Sequence, residues 1–597
     1  MRIGIFFGGV SREREISFLG GKTALENIDK SLFSAVAVFV DGKGNFILIN
    51  EDLIYRPEIR DFYPPQAFVP DAFKVYSESL NLSPADEDRM IATVGKRIYP
   101  HQFSEYFDCA FIAMHGPGCE DGTIQGLLEW HGMPYTGPDI MSSGISMDKI
   151  YQNYLIDKTV GLDKKTSTLT KDQFNRGNHA ELFAQLKADL GLPFVVKAPH
   201  QGSSIGVSFV KEDNFEVFEK AVKQCLFIAE VSADEWKNKS DEDKTDYLQK
   251  TANLDEGIAF PLSFRGEIIY HPTVLWKRLD THFSMSTDNA VLTSTDTEDA
   301  VLFEAFVSGQ EFSCGVIQDF DGNAIALPPT EIVKLDEEVI VFDFKTKYKK
   351  STTRKNIPIN TELAHNQKVQ QMVRDCFAAL KFGVCTRIDG FLTPDGRVLL
   401  HDPNTIPGMS PASLIFKQMA EIGLNVTDAI TYFVRNSLRE RIRAGKKAVQ
   451  FRALLNELDL AIRQKNTHKH ERDRVVIVFG GSVDAEESYQ LAKKAFSQLS
   501  ASGDYVPVCV YVNASGEKFV LPINLMFKEN TSDLETILQT PVHPLIQETR
   551  QKAEALTQFF TGELVPAPRQ IEVIENEGSM AVVLAEGIEV ELPSGVI

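Results

Sequence analysis

Residues 385–408 read CTRIDGFLTPDGRVLLHDPNTIPG. Two apolar runs flank the turn PDG, which predicts a hairpin of two buried strands. Asp389 lies on the first strand, and Asp402 and Asn404 lie near the end of the second. Two carboxylates and an amide oxygen are hard ligands. They suit Mg²⁺, which takes one or two carboxylates and completes its shell with water and substrate phosphates. Arg387 precedes Asp389 by two residues, so strand alternation puts both on one face. The pair fits a structural salt bridge as well as it fits a cation held over a reacting anion.

Upstream, GLPFVVKAPHQGSSIGVSFVK (191–211) reads as strand, glycine-serine loop, strand. Such a loop can turn backbone N–H groups toward an anion, with Lys197 adding a cation at the strand end, although an ordinary surface hairpin looks the same. Further upstream, FIAMHGPGCEDGTIQG (111–126) places His115, Glu120 and Asp121 in a glycine-rich loop just beyond a buried strand. Ligand sites of α/β sheets lie there, beyond the carboxyl ends of strands.

Strand-like and helical patterns alternate through most of the chain, which predicts α/β architecture. The charged run VSADEWKNKSDEDKTDYLQKT breaks that rhythm and is expected in an exposed insertion rather than in a core element. FKTKYKKSTTRKNIP (344–358) is a lysine-dense loop, and RQKNTHKHERD (463–473) reads as a linker. There is also an internal repeat. RIGIFFGGVSREREISFLGGKTALENI near the start echoes RVVIVFGGSVDAEESYQLAKKAFSQL from Arg474, and each runs on to strand, turn, strand. A second copy of the first domain is therefore expected at the C-terminal end.

The bulk properties narrow the function classes. At 597 residues the chain exceeds one core, and roughly three to five domains are expected at ~150 residues each. With 43% hydrophobic and 24% charged residues the composition is that of a soluble globular protein. A net charge of -21 disfavours nucleic acid but allows a local basic pocket for an anionic substrate. The start MRIGIFFGG reads as a strand rather than a leader, and no apolar run reaches the ~20 residues of a membrane span. Seven scattered cysteines without a CxxC pair suggest a reducing cytoplasmic setting, with neither disulfides nor structural zinc.

Taken in order, the segments GGVSREREIS, MHGPGCEDGTIQG, PYTG with SMDK, VVKAPHQGSSIG, FEAFVSGQEF, FDFKTKY, TRIDG and DPNTIPGMSPASL resemble the D-alanine–D-alanine ligase family of ATP-grasp enzymes, from about residue 2 to 435. The resemblance implies an α+β ATP-grasp fold. Its parts would be a pre-ATP-grasp domain at 1–146, a lid subdomain at 147–303 with an insertion at about 228–296, and a second ATP-grasp subdomain at 304–455. A linker at 456–473 and a further, non-catalytic pre-ATP-grasp-like domain at 474–597 would follow. It implies ATP and two Mg²⁺ (Mn²⁺ as a substitute), D-alanine as substrate, no membrane or nucleic-acid partner, and often a homodimer. Lys149, Lys197, Ser204, Glu304, Phe306, Val307, Glu311 and Lys347 would bind ATP, with Glu311 on the ribose and Phe306 and Val307 at the adenine. Asp389, Asp402 and Asn404 would hold the metals. Glu13, with His115 and Glu120, would face the first D-alanine, and Ser413 and Leu414 the carboxylate of the second. Ser203, Tyr348, Arg387 and Gly408 complete the catalytic set, with Arg387 at the oxyanion.

Several positions depart from the family pattern. Asp402 stands where a Glu is usual, Ala305 where a lysine is usual, KAPHQGSS where KPxxxGSS is usual, and Lys345 where an acid is usual. Two alternatives follow: a ligase that uses D-lactate, D-serine or another small amino acid, and a non-catalytic nucleotide-binding regulator. A dehydrogenase is set aside, because FFGG lacks the G-x-G-x-x-G with a following acid.

Overall fold

In RIGIFFG at the start of the chain, Ile3, Ile5, Phe6 and Phe7 are all fully buried. A strand buried on both faces belongs in the middle of a covered, largely parallel sheet. That is where β1 (Arg2–Gly8) lies, with β2 (Ser34–Val40) and β5 (Cys109–Ile112) parallel on its two sides. β3 (Phe46–Ile49) and β4 (Gly95–Ile98) add antiparallel strands, giving the order β4-β3-β2-β1-β5. The computed structural model describes residues 1–70, 73–161, 164–335, 353–410, 412–571 and 581–583.

β6 (Thr166–Thr170), β7 (Phe194–Lys197) and β8 (Ser208–Val210) come next. β9 (Ile228–Val231), β10 (Leu262–Phe264), β11 (Glu267–Ile269) and β12 (Ala290–Ser294) form a separate antiparallel sheet, and the chain then returns as β13 (Ala300–Ala305) to complete β6-β13-β7-β8. The expectation for the charged run needs correction here. Its helices Ala233–Lys237 and Asp241–Ala252 bury Trp236 and Leu248 against Leu262, Leu275 and Leu292, so the insertion is a folded module with its own core. The apolar residues that build it are spaced too widely among the charges to register as a pattern.

The second large sheet holds β14 (Gln310–Gln318), β15 (Ala324–Ala326), β16 (Thr330–Lys334), β17 (Thr353–Asn356), β18 (Cys385–Leu392) and β19 (Val398–Asn404). Its order is β17-β16-β14-β18-β19, with β15 on β14. The expected hairpin is β18 paired antiparallel with β19, and its register breaks once: Asp389 faces His401, while Arg387 faces Asn404. Asp402 and Pro403 together oppose the single residue Ile388, and Asp402 has φ +44°. Such a bulge bends a strand and re-aims its side chains.

β20 (Asp473–Gly480), β21 (Tyr505–Val512), β22 (Lys518–Leu521), β23 (Arg569–Ile571) and β24 (Ala581–Val583) form the last sheet, in the order β23-β22-β21-β20-β24. Strand for strand this is the topology of the first sheet, parallel pairs included. Gly8 and Gly480 end the first strands with φ +85° and +103°. A Cβ on either would meet the carbonyl oxygen of Val40 or Val512, at 2.4 and 2.2 Å. The expected linker is also corrected: residues 463–467 belong to the helix Ala448–Thr467, which buries Phe451, Leu458 and Ile462. Only three of its twenty residues are buried, and none within 463–467, so the stretch reads as polar. One apolar cluster joins Ile3, Ile28 and Phe33 of the first unit, Ile430 and Phe433 of the middle, and Leu556 and Phe560 of the last.

Candidate active site

Between the sheets β6-β13-β7-β8 and β17-β16-β14-β18-β19 lies a cavity of about 570 Å³. Of the residues proposed from the sequence, Lys149, Lys197, Ser203, Ser204, Glu304, Phe306 and Val307 line it from the first of these sheets and its edges, and Glu311 lines it from β14 of the second. Arg387, Asp389, Asp402, Asn404, Gly408, Ser413 and Leu414 line it from the other side. Lys347 and Tyr348, and the departure Lys345, lie outside the described residues.

Glu304 is the electrostatic centre of one wall. Its Oε2 pairs with Lys197 Nζ at 2.7 Å and its Oε1 with Lys164 Nζ at 2.6 Å, and Asn153 donates to Oε1 at 2.7 Å. Burial alone would push this acid up, but the two lysines outweigh it and hold Glu304 well below the usual carboxylate range. Burial would likewise lower Lys197, yet Asp402 at 3.8 Å and Glu304 raise it. It stays a cation at any neutral pH. Lys149 donates to the carbonyl of Gln201, at the root of the loop between β7 and β8. Glu311 pairs with Lys334 at 3.0 Å. Phe306 is 45% exposed, with its ring edge-on to Phe209 at 6.3 Å, and Val307 lies beside it. Together these leave an apolar slot at the mouth suited to a planar group.

The bulged hairpin supplies the acids. Asp389 takes a two-point contact from Arg387, Nε to Oδ1 and Nη2 to Oδ2, each 3.1 Å, and a hydrogen bond from Ser313 Oγ at 2.7 Å. Asp402 Oδ2 lies 3.1 Å from His401 Nδ1. Burial would raise this acid, but Lys197 and Lys149 hold Asp402 well below the usual range, so it is an anion before any metal arrives. Asn404 donates its Nδ2 to the Asp402 carbonyl at 2.7 Å, which leaves the amide oxygen as the ligand atom. Two carboxylates and an amide oxygen on one cavity wall fit a hard divalent cation. Ser413 caps the helix Leu414–Glu421, whose first turn abuts the cavity and favours an anion there.

Glu13, His115 and Glu120 sit behind the cavity wall, all buried. The Glu13 carboxylate accepts from Ser203 Oγ at 2.6 Å and from the Gly202 N–H at 3.1 Å, so the loop between β7 and β8 is seated on it. A Cβ at position 202 would lie 2.4 Å from that carboxylate, which explains the glycine. Burial and the neighbouring Glu120 raise the Glu13 acid above its ordinary value, against the pull of His115. His115 Nδ1 lies 3.6 Å from Glu120 Oε2. Burial lowers the imidazole, but Glu120 and Glu13 outweigh it and raise it overall. His115 Nε2 and Glu120 Oε2 are buried and have no hydrogen-bond partner among the described residues. Polar atoms this deep without a hydrogen bond invite a small polar ligand.

Four consecutive residues of the first loop reach four different places. Ser11 Oγ donates to the His115 carbonyl at 2.6 Å, and Glu13 holds the loop of Gly202 and Ser203. Arg14 pairs with Glu78 at 2.6 Å. Arg12 donates to the carbonyls of Leu254, Gly257, Ile258 and Asp296 and to Ser294 Oγ, and stacks 3.8 Å over Phe227. It ties the loop to the insertion. Sequence reasoning missed Lys164, Ser313, His401 and Arg12. Ser313 was within reach, since it alternates with Glu311 on one strand face, and His401 adjoins Asp402. Lys164 meets Glu304 140 residues away, and Arg12 meets its carbonyl partners more than 240 residues away.

Comparison with known proteins agrees on where this machinery ends. The family profile described as "D-ala D-ala ligase N-terminus" matches residues 2–138, and "D-ala D-ala ligase C-terminus" matches 157–231 and 283–435. Together they cover more than half of the chain. They pass over most of the insertion and stop before the last sheet. A D-alanine–D-alanine ligase of Frankia casuarinae is 25% identical over 457 residues, 74% of this chain and 97% of its own length. One from Mycobacterium avium is 27% identical over 442 residues, 73% of this chain and 96% of its own. Among solved structures, the D-alanine–D-alanine ligase of Coxiella burnetii aligns with 76% of this chain and 99% of its own, at 20% identity and a TM-score of 0.47.

Proposed function

The chain belongs to the D-alanine–D-alanine ligase family, and from that premise we propose that it joins two D-alanines at the expense of ATP, giving the dipeptide for peptidoglycan precursors, ADP and phosphate. The observation that carries this reading is the single cavity in which the ATP-side lysines, the acidic hairpin and the Ser413 helix meet, with Glu13 at its back.

A carboxylate is a poor electrophile, so the first D-alanine is activated as an acylphosphate, which the second amine then attacks. Glu13 and His115 hold the first amino acid by its ammonium and orient it. Lys149 and Lys197 neutralise the phosphates, while Glu311 holds the ribose and Phe306 and Val307 the adenine. Both steps build charge on oxygen, and Arg387 turns from Asp389 toward that oxyanion, with Ser203 and the Gly408 backbone beside it. Asp389, Asp402 and Asn404 would hold two Mg²⁺ (or Mn²⁺), which supply further neutralisation of phosphate charge when bound. Ser413 and Leu414 seat the carboxylate of the second D-alanine at the helix start. Lys347 and Tyr348 complete the closed site in this proposal. Holding two small zwitterions in line supplies much of the remaining acceleration.

The setting we assign is the cytoplasm. Among the described residues no helix is long and apolar enough to cross a membrane, and all seven cysteines are unpaired and buried. The full set of cavity acids and cations argues against a purely regulatory, non-catalytic role. The test is phosphate release by the purified chain with ATP, Mg²⁺ and a panel of D- and L-amino acids. D-Alanine should give dipeptide and stoichiometric phosphate. Release with another amino acid but not with D-alanine would overturn the substrate, and no release with any of them would overturn the ligase.

A further inference from the structure

A second, larger cavity of about 1020 Å³ opens where the last α/β unit docks on the rest of the chain. Its lining carries six lysines and an arginine against three glutamates, in a protein whose net charge is -21. The cations come from three separate parts of the chain: Lys30 from the first unit, Lys355 and Lys417 from the middle, and Lys493, Lys494 and Lys528 from the last. Leu25, Val426, Met526 and Phe527 give it apolar walls as well. Such a mixture, at a junction between units and of this size, is typical of a small-molecule site.

Among the described residues the acids offset this charge only in part, Arg354 pairing with Asp533 at 3.8 Å. Lys355 and Lys417 share the single carboxylate oxygen Oε1 of Glu529, at 3.2 and 3.1 Å, and Lys528 is committed to Glu421. Burial and the neighbouring Lys355 and Lys528 lower Lys417 below its ordinary value, even though Glu529 opposes them. Among the described residues Lys30 and Lys494 face the solvent-side rim with no carboxylate in ion-pair range. A local excess of positive charge with shared counter-ions is an electrostatic vacancy for an anion.

This cavity also adjoins the first. Lys355 and Ala412 line both. The helix Leu414–Glu421 begins at the first cavity, presents Lys417 to the second one turn later, and ends at Glu421. There the last unit holds it through Asn524 Nδ2 at 2.9 Å, Lys528, and Arg550 Nε on the Glu421 carbonyl at 2.8 Å. We propose that this cavity is an effector site for a small organic anion, phosphorylated or polycarboxylate with an apolar portion, and that its occupancy is transmitted along the helix Leu414–Glu421 to the active site. The transmission half rests on the function proposed above, since it assumes that the start of this helix seats the second amino acid. The binding half does not.

The test uses the full chain with its active site saturated by a non-hydrolysable ATP analogue and Mg²⁺, titrated calorimetrically with inorganic phosphate, pyrophosphate and citrate. At least one of the three anions should bind. Lys30→Glu/Lys494→Glu, on the rim and outside the catalytic set, should weaken it about tenfold or more, the effect expected for losing charge-assisted contacts, and should leave dipeptide synthesis without anion unchanged. Binding should weaken with salt, and in turnover assays the same anion should change the KM for D-alanine several-fold. No binding by any probe, or equal binding by the double variant, would overturn the site. Binding with no change in KM would overturn the transmission. Calorimetry reads the site whether or not the chain turns over, so its failure is separable from failure of the ligase reading.

Discussion

The first and last units of this chain are one scaffold built twice, and they differ at the place where chemistry happens. A constant offset of 472 residues carries Gly8 onto Gly480 and the short helix Glu51–Tyr55 onto Ile523–Phe527. Between them even the turn is the same. Asp41 accepts from the N–H groups of Lys43 and Asn45 at 2.9 Å each, and Asn513 from those of Ser515 and Glu517 at 3.0 and 2.9 Å. The loop after the paired glycines is VSREREIS in the first unit and SVDAEESY in the last. In the first, Arg12, Glu13 and Arg14 are buried with partners drawn from across the chain. In the last, Val483, Asp484 and Glu487 are exposed. Sheet order and turn chemistry set the scaffold, while four loop residues decide whether it takes part in a site.

The largest effect that tests this contrast is Glu13→Gln, which should abolish dipeptide synthesis in a folded protein. Full activity in that variant would place the first-substrate site elsewhere. Next is Phe560→Ala in the last unit. Removing this buried ring from the shared core should cost about 3–5 kcal/mol of stability, read as a lower midpoint in denaturant for the whole chain. A separate, early transition of the last unit with the rest unmoved would instead show two independent bodies. Arg387→Ala should lower kcat on the order of 10²–10³-fold with little change in ATP affinity. The alternative of a structural salt bridge to Asp389 predicts lost thermal stability and a fully active folded remainder.

A smaller effect concerns pH. In its proposed role Glu13 must be ionised to hold the ammonium of D-alanine, and burial raises that acid. As pH falls, kcat/KM should decline while ordinary carboxylates are still charged, that is, above about pH 4.3. A profile flat down to that pH would contradict the assigned role. The smallest effect is Glu487→Gln, the positional counterpart of Glu15, which should leave turnover within about twofold, as exposed substitutions away from partners do. A large catalytic loss there would mean that the two copies are not unequal after all.

Much of this was legible in the sequence because it is local. The hairpin around PDG and the strand-loop-strand at 191–211 each declare themselves within some thirty residues, and the repeat shows once two such short segments are compared. The candidate site residues ordered along the chain could be assigned to one site only through the family resemblance, and the cavity gathers fifteen of them. What stayed hidden is set by distant contacts. The bulge that re-aims Asp402 depends on pairing with β18, the insertion's core is scattered among charges, and Arg12 reads as one more charge in a polar loop until the insertion packs over it. The helix through 463–467 reads as a linker because its buried face shows only Phe451, Leu458 and Ile462.

The shared apolar cluster also fixes a timetable. Ile3, Ile28 and Phe33 leave the ribosome more than five hundred residues before Leu556 and Phe560, which belong to the same cluster. At ~5–20 residues per second the interval is roughly half a minute to two minutes. For that time the nascent first unit carries an unfinished apolar seam. Chains released early expose it permanently, so truncated products of this protein should be held by chaperones or aggregate, even when every residue of the catalytic cavity has been made.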